Sequence, residues 1–141
     1  MDFEAKIAEL GLLIPKPAKP AGSYKPCVIV DNIAYISGQG PLLEDGSFAK
    51  GKVGADVDLE TAQNHARLCG LAILSALKNE IGSINKVDQL IKLTGFVNCI
   101  ESFTQQPLVI NGCSNMMKDI FGETGVPVSY THLRAHETSS Y

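Results

Sequence analysis

Four side chains and one glycine have the chemistry to hold a small polar molecule: Tyr24, Ser37, Gly38, Gln39 and Asn98. A phenol, a hydroxyl and two carboxamides can donate and accept hydrogen bonds. Each has a plainer reading. Tyr24 fits the edge of a core, and Asn98 either faces a site or closes a turn at the end of a strand. Gly38-Gln39-Gly40 lacks the third glycine and the Lys-Ser/Thr of a phosphate loop, so it reads as a tight corner. Cys27, Cys69, Cys99 and Cys113 form no CxxC pair, and His65 is the only histidine near them in sequence. They read as reduced, buried thiols, with no metal site and no cofactor expected. Cys99 has no base at a foreseeable distance, so a packed thiol is expected. His65, flanked by Asn64 and Arg67, reads as a solvated residue on a polar helix side.

These groups need elements to position them. Lys25 to Pro41 reads as two strands, Cys27 to Val30 and Ile33 to Ser37, joined by a tight turn at Asp31-Asn32. The second strand runs into the Gly38 corner. Before it, Asp2 to Leu10 predicts a short helix closed by Gly11, followed by Leu12-Leu13-Ile14 and the proline-rich arm Pro15 to Pro20. After it come a turn at Glu44-Asp45-Gly46 and a short third strand over Ser47 to Val53. Asp58 predicts the cap of a long helix, Leu59 to Ile81, closed by Gly82. Leu59, Ala62, Ala66, Cys69, Ile73 and Leu77 line its apolar face. Val87 to Val97 reads as a long strand, apolar on both faces. Thr104 is the expected cap of a second helix, with Val109, Cys113, Met117 and Ile120 as its core stripe, Met116 beside it, and Gly122 at its end. The fold class is α+β, with two helices on one face of a mixed sheet.

The sequence has 141 residues, 45% apolar, with a net charge of −3, which predicts a single domain. No basic run is present, so nucleic acid is not the expected partner. No apolar run approaches a bilayer span, and the acidic start Met1-Asp2-Phe3-Glu4 lacks a secretory core. A cytoplasmic protein with no membrane partner is expected.

From Val128 the chain changes character. The strand due after Pro127 should be rich in Val and Ile, but the tail carries Tyr130, His132, Arg134, His136 and Glu137 and almost no aliphatic residue. Those side chains imitate a metal or acid–base cluster without a framework to orient it. The string Val128 to Thr138 resembles the translation of a transposase-type sequencing adapter. Residues 128–141 are therefore set apart as a non-native tail, leaving 1–21 as helix and arm and 22–127 as the domain, with its final strands expected to be missing. Loss of those strands would leave ladder groups unpaired and the chain unstable.

Taken together, Gly22-Ser23-Tyr24, Tyr35-Ile36-Ser37-Gly38-Gln39-Gly40-Pro41, Gly51-Lys52-Val53-Gly54-Ala55-Asp56, Leu93-Thr94-Gly95-Phe96-Val97-Asn98 and Gln106-Pro107 resemble the RidA/YjgF family, in its YjgF/chorismate-mutase-like branch. The resemblance runs from about Asp2 to Gly125. It implies a chorismate-mutase-like fold and a homotrimer with small-molecule sites in the clefts between subunits. It also implies hydrolysis of enamines and imines such as 2-aminoacrylate to 2-keto acids and ammonia. The alternative within the family is a trimer that binds a metabolite or regulates without turnover. The endoribonuclease activity also attributed to the family fits the acidic composition poorly. Tyr24 matches the cleft tyrosine and Ser37 to Gln39 match the cleft floor. An arginine that grips the substrate carboxylate is expected one or two residues after Pro127, where Val128-Ser129 stand. A late carboxylate that positions water falls on the missing strand, and Arg134 has no matching context. The loop from Leu42 to Ala55 departs from the best-studied members.

Overall fold

The computed structural model describes residues 2–18 and 22–134, with backbone alone over 129–134. Lys19 and Pro20 of the arm, and His136 and Glu137 of the tail, lie outside the described residues.

The hairpin forms as its turn dictates. Strands β1 (Cys27–Val30) and β2 (Ile33–Ile36) pair antiparallel, with Val30 opposite Ile33. Asp31 and Asn32 both take positive φ, 51° and 63°. That is the two-residue turn whose twist matches the strands, and Asp and Asn tolerate it better than bulkier residues. Alternation then sorts the faces. Cys27, Ala34 and Ile36 pack inward on the core, while Val28, Val30, Ile33 and Tyr35 look outward and are exposed.

Helix α1 (Phe3–Glu9) precedes the hairpin, and α2 (Leu59–Ile81) follows the loop region. The Asp58 carboxylate accepts from the Thr61 N–H at 2.8 Å and holds the start of α2, and Gly82 closes it with φ 89°. The apolar stripe is wider than expected. Leu59, Cys69 and Ile73 are half-buried, whereas Leu71, Leu74 and Ser75 are buried. The reason is that α2 meets neighbours on more than one side. Helix α3 (Gln106–Phe121) flanks it, and the N-terminal arm crosses it where Ser75 Oγ donates to Pro15 O at 2.6 Å. In the arm, Leu12 and Ile14 press on the core while Leu13 is left exposed.

Three local expectations are corrected. Strand β3 spans Lys92–Val97, not 87–97. Val87 to Ile91, after a 3-10 turn at Ile84–Lys86, takes no regular structure, and the Leu90 N–H is taken by Thr124 O at 2.7 Å, far along the chain. Ser47 to Val53 is not a strand, because its backbone groups go to isolated bridges, Leu42 with Phe48 and Val53 with Cys99. Thr104 does not cap α3. Gln105 holds that position with no side-chain cap, and Pro107 in the first turn has no N–H to satisfy. The core stripe of α3 is as expected, with Val109, Cys113, Met116, Met117 and Ile120 buried.

The tail is corrected as well. Ser129–Arg134 forms strand β4, parallel to β3, with Ser129 opposite Lys92 and Arg134 opposite Val97. The slot is defined by backbone. Val126 is extended ahead of Pro127, as prolines require of the residue before them, and the Val128 N–H donates to Ile91 O at 2.9 Å. The chain is thus aimed along the edge of β3, whose N–H and C=O groups accept any extended segment. The expected absence of the final strands therefore does not hold for this position. Among the described residues β4 is bonded to β3 only, and the two pairs form separate two-stranded sheets. Helix α2 covers the first sheet and α3 the second, giving the α+β arrangement. No described helix is long and apolar enough to cross a membrane.

One latch fixes α1. The Glu4 carboxylate accepts from Lys78 Nζ at 2.9 Å, from the Ile84 N–H at 2.9 Å and from Ser83 Oγ at 3.2 Å. The Glu4 N–H donates to Asn85 Oδ1 at 2.9 Å. Alongside, Phe3 meets Phe121 edge-on, with ring centroids 4.8 Å apart. The Lys78 hydrogen bond, then the Ile84 N–H, hold the Glu4 carboxyl below its ordinary pKa of 4.5. A lowered carboxylate pKa contributes stability that is present above the unfolded value and lost as pH falls through the folded value. Glu4→Gln is expected to cost about 1–2 kcal/mol near neutral pH. The gap between the two proteins' melting temperatures should close as pH is lowered from about 7 to about 3. Thermal melts across that range check this, and a gap independent of pH would remove the ionised Glu4 from the account.

Candidate functional site

The corner after β2 is built from backbone. Ser37 closes the hairpin's open end: its N–H donates to Pro26 O at 2.9 Å and its Oγ donates to the same oxygen at 3.3 Å. Gln39 folds back, with Nε2 donating to Ser37 O at 3.3 Å. Gly38 stands open, with nothing within 4 Å of where a Cβ would sit. Tyr24, two residues before Pro26, is 49% exposed, and its ring edge lies 3.4 Å from the Cβ position of Gly22. Tyr24, Ser37, Gly38 and Gln39 therefore share one end of the hairpin.

Asn98 is held elsewhere, just past β3. Its backbone oxygen accepts from the Val53 N–H at 3.0 Å, and its Nδ2 reaches Gly51 O at a long 3.5 Å. The Nδ2 contact spans 47 positions, so it ties Asn98 to the loop and does not close a local turn. What joins Asn98 to the corner is the loop between them. At the corner end, the Ala49 N–H donates to Pro41 O at 2.9 Å, and Phe48 lies over Gly40, 2.9 Å from its Cβ position. At the far end, Val53 is clamped between Asn98 O and the Ile100 N–H, which donates to Val53 O at 3.1 Å. Between them, Asp45 accepts from both the Ser47 Oγ and its N–H, which lowers the Asp45 pKa. The loop is stapled at both ends, with the Asp45 turn between them.

The arrangement is chemically mild. Tyr24, Ser37, Gln39 and Asn98 offer hydrogen bonds, and none carries charge near neutral pH. Burial pushes the Cys69 and Cys113 thiols up to about 12, so both stay protonated, and it raises Cys27 as well. None of the four cysteines is in a disulfide, and among the described residues no cluster of His, Cys, Asp and Glu could hold a metal ion. His65, expected to be solvated, is half-buried on α2.

Alternation along β3 puts Phe96, 58% exposed, opposite the inward-facing Leu93 and Val97, on the second face that the sequence reading gave to an interior neighbour or another subunit. On the hairpin, Tyr35 is likewise 58% exposed, with Val28, Val30 and Ile33 on its side. Sequence reasoning missed one feature, a polar groove of about 310 Å³ between α2 and α3, lined on α2 by Gln63 and Arg67 and on α3 by Asn111, Asn115 and Asp119. The signal was present as polar residues four apart on each helix.

The sequence model of a family described as "YjgF/chorismate_mutase-like, putative endoribonuclease" matches residues 4–133. A protein of Trypanosoma cruzi called "Protein TCP17" is 34% identical over 119 residues, which is 84% of this chain and 74% of that protein. A crystal structure from Shewanella oneidensis, described as a "putative endoribonuclease", superposes with a TM-score of 0.89 at 29% identity, over 94% of this chain and 88% of that one. A crystal structure of an Agrobacterium tumefaciens protein of unknown function superposes with a TM-score of 0.78 at 40% identity, over 94% and 79% of the two chains.

Proposed function

The chain belongs to the YjgF/chorismate mutase-like family, and from that premise we propose that it provides half of a RidA-type deaminase site, completed by a second subunit of a homotrimer. The observation that carries this is the contiguity of a one-sided floor and an unpartnered apolar face. Tyr24 and Gly38 open to solvent at the end of the hairpin whose outward residues, Val28, Val30, Ile33 and Tyr35, are exposed. A face of that composition is suited to a copy of itself, and a floor at its margin is then roofed by the neighbour.

In this reading Tyr24, Ser37 and Gln39 orient the 2-imino acid that forms when the enamine 2-aminoacrylate takes a solvent proton at its CH2 carbon, with Asn98 tied to them through the loop. Water adds to the imine carbon, a proton passes to nitrogen, and the C–N bond breaks to leave a 2-keto acid and ammonia. The substrate carboxylate requires a positive partner, and bidentate arginine suits it best. Its expected place is occupied by Val128 and Ser129, where the Val128 side chain is exposed at the mouth of β4. We take residues 128–141 to be foreign to the protein, and this chain to lack turnover for that reason. The neutrality of the described floor favours one other reading, a trimer that binds a small metabolite without reaction. The net charge of −3 gives no support to an endoribonuclease.

Two measurements test the proposal. The genomic sequence after the Pro127 codon should encode arginine within two residues; contiguous genomic coding of the present tail would end the foreign-tail reading. The protein with its genomic C-terminus should release ammonia from a 2-aminoacrylate-generating system, while the present chain stays at background. No release above background from an arginine-bearing protein would leave binding without turnover.

A further inference from the structure

We propose that the groove between α2 and α3 is a second binding site, for a free α-amino acid with an aliphatic side chain. It lies in the helical layer and does not depend on the reading of the hairpin corner.

The groove exists because of how the two helices run. The Cβ position of Gly112 falls 2.1 Å from Gln63 O, and that of Gly70 falls 2.6 Å from Met116 Cε. Residues ascend together on both helices, so α2 and α3 lie parallel and in close contact. Gln63 and Arg67 are four apart on α2, and Asn111, Asn115 and Asp119 are four apart on α3. Spacing of four keeps each set on one face, so two polar rows line the same cavity of about 310 Å³. That volume suits a small metabolite, at the lower end of ligand sites. Leu10 and Leu12, from the segment after α1, and Met116 supply apolar wall.

The charges decide the ligand. Arg67 and Asp119 line one cavity, yet neither forms a salt bridge among the described residues. A simple anion attracted by Arg67 meets Asp119, and a simple cation attracted by Asp119 meets Arg67. A zwitterion satisfies both, placing its carboxylate on the guanidinium fork and its ammonium on the Asp119 carboxylate. Asn115 adds a carboxamide between them in sequence register. An aliphatic side chain then finds Leu10, Leu12 and Met116.

The test is an amide NMR titration of the intact chain with L-leucine, 4-methylpentanoate and 3-methylbutylamine. Leucine is expected to shift the amides around Arg67 and Asp119. The carboxylate-only and amine-only analogues, and the variants Arg67→Ala and Asp119→Asn, should each bind at least about tenfold more weakly. Both side chains are exposed, so the variants should keep the parent circular dichroism; if either does not, the three-ligand comparison on the unaltered chain decides alone. Equal binding of 4-methylpentanoate, shifts confined to Tyr24 and Ser37 to Gln39, or no shift at tens of millimolar leucine would each overturn the proposal. Shifts at the corner alone would bear on the deaminase site and not on this one.

Discussion

Gly112→Ala is expected to lower stability by about 2–3 kcal/mol, despite placing the best helix former in the middle of a helix. Alanine in place of glycine gains about 1 kcal/mol of helix propensity. Against this, the added methyl would sit 2.1 Å from Gln63 O, 2.7 Å from its carbonyl carbon and 2.9 Å from its Cα. All three are backbone atoms of another helix, so no side chain can swing aside. Moving α2 would disturb Ala62 and Ala66, both buried, and the neighbouring contact of Gly70 with Met116 and Cys113. Overpacking of this kind costs about 1–3 kcal/mol and more where the backbone is fixed. The clash therefore outweighs propensity, and the melting temperature should fall by about 6–10 °C at this chain length. Gly38→Ala is the control: nothing lies within 4 Å of its Cβ position, and the change should stay within about 0.5 kcal/mol. A thermal melt of Gly112→Ala at or above the parent would show that the helices do not touch there.

The second large effect concerns assembly. If the proposed homotrimer closes over β3, Phe96→Asp is expected to convert it into monomers without unfolding them. Phe96 is 58% exposed on the outward side of β3, while Leu93 and Val97 on the other side hold the core. Its loss therefore leaves the subunit's interior intact. Within an oligomer, a carboxylate buried there without a partner costs several kcal/mol in every copy. Light scattering on the protein with its genomic C-terminus should report a monomer mass with an unchanged circular dichroism spectrum. Ammonia release should fall to background with it, because the proposed clefts need two subunits. A trimer that survives Phe96→Asp would place the interface on a different face.

What could be read locally was read well. The α2 boundaries follow from a capping aspartate and a closing glycine within the helix's own sequence, and the Asp31-Asn32 turn follows from two residues that accept positive φ. Errors came where a backbone group chose a distant partner. Val87 to Ile91 has strand composition, but the Leu90 N–H is drawn to Thr124. Ser47 to Val53 alternates suitably, yet Val53 pairs with Asn98 and Ile100 beyond a long helix. The site divides the same way. The Ser37 to Gln39 corner was visible as glycine chemistry, while the loop that ties it to Asn98 was not. The groove was hidden for a further reason: each polar row alone looks like an ordinary solvated helix side. It becomes a cavity only when Gly112 brings the second helix against Gln63. In the tail, side-chain composition argued against a strand, and the edge of β3, which bonds backbone alone, recruited one.

The contacts that hold the N-terminal segment have a consequence for synthesis. Pro15 waits for Ser75, Glu4 for Lys78 and the Glu4 N–H for Asn85, partners 60, 74 and 81 positions later. At about 5–20 residues per second, translation takes on the order of 4–16 s to supply the last of these. This segment leaves the ribosome well before its partners and is thus among the last to be seated. Through that interval Phe3, Ile7 and Leu12 have no surface to cover, and a nascent-chain binding factor has its longest window on them.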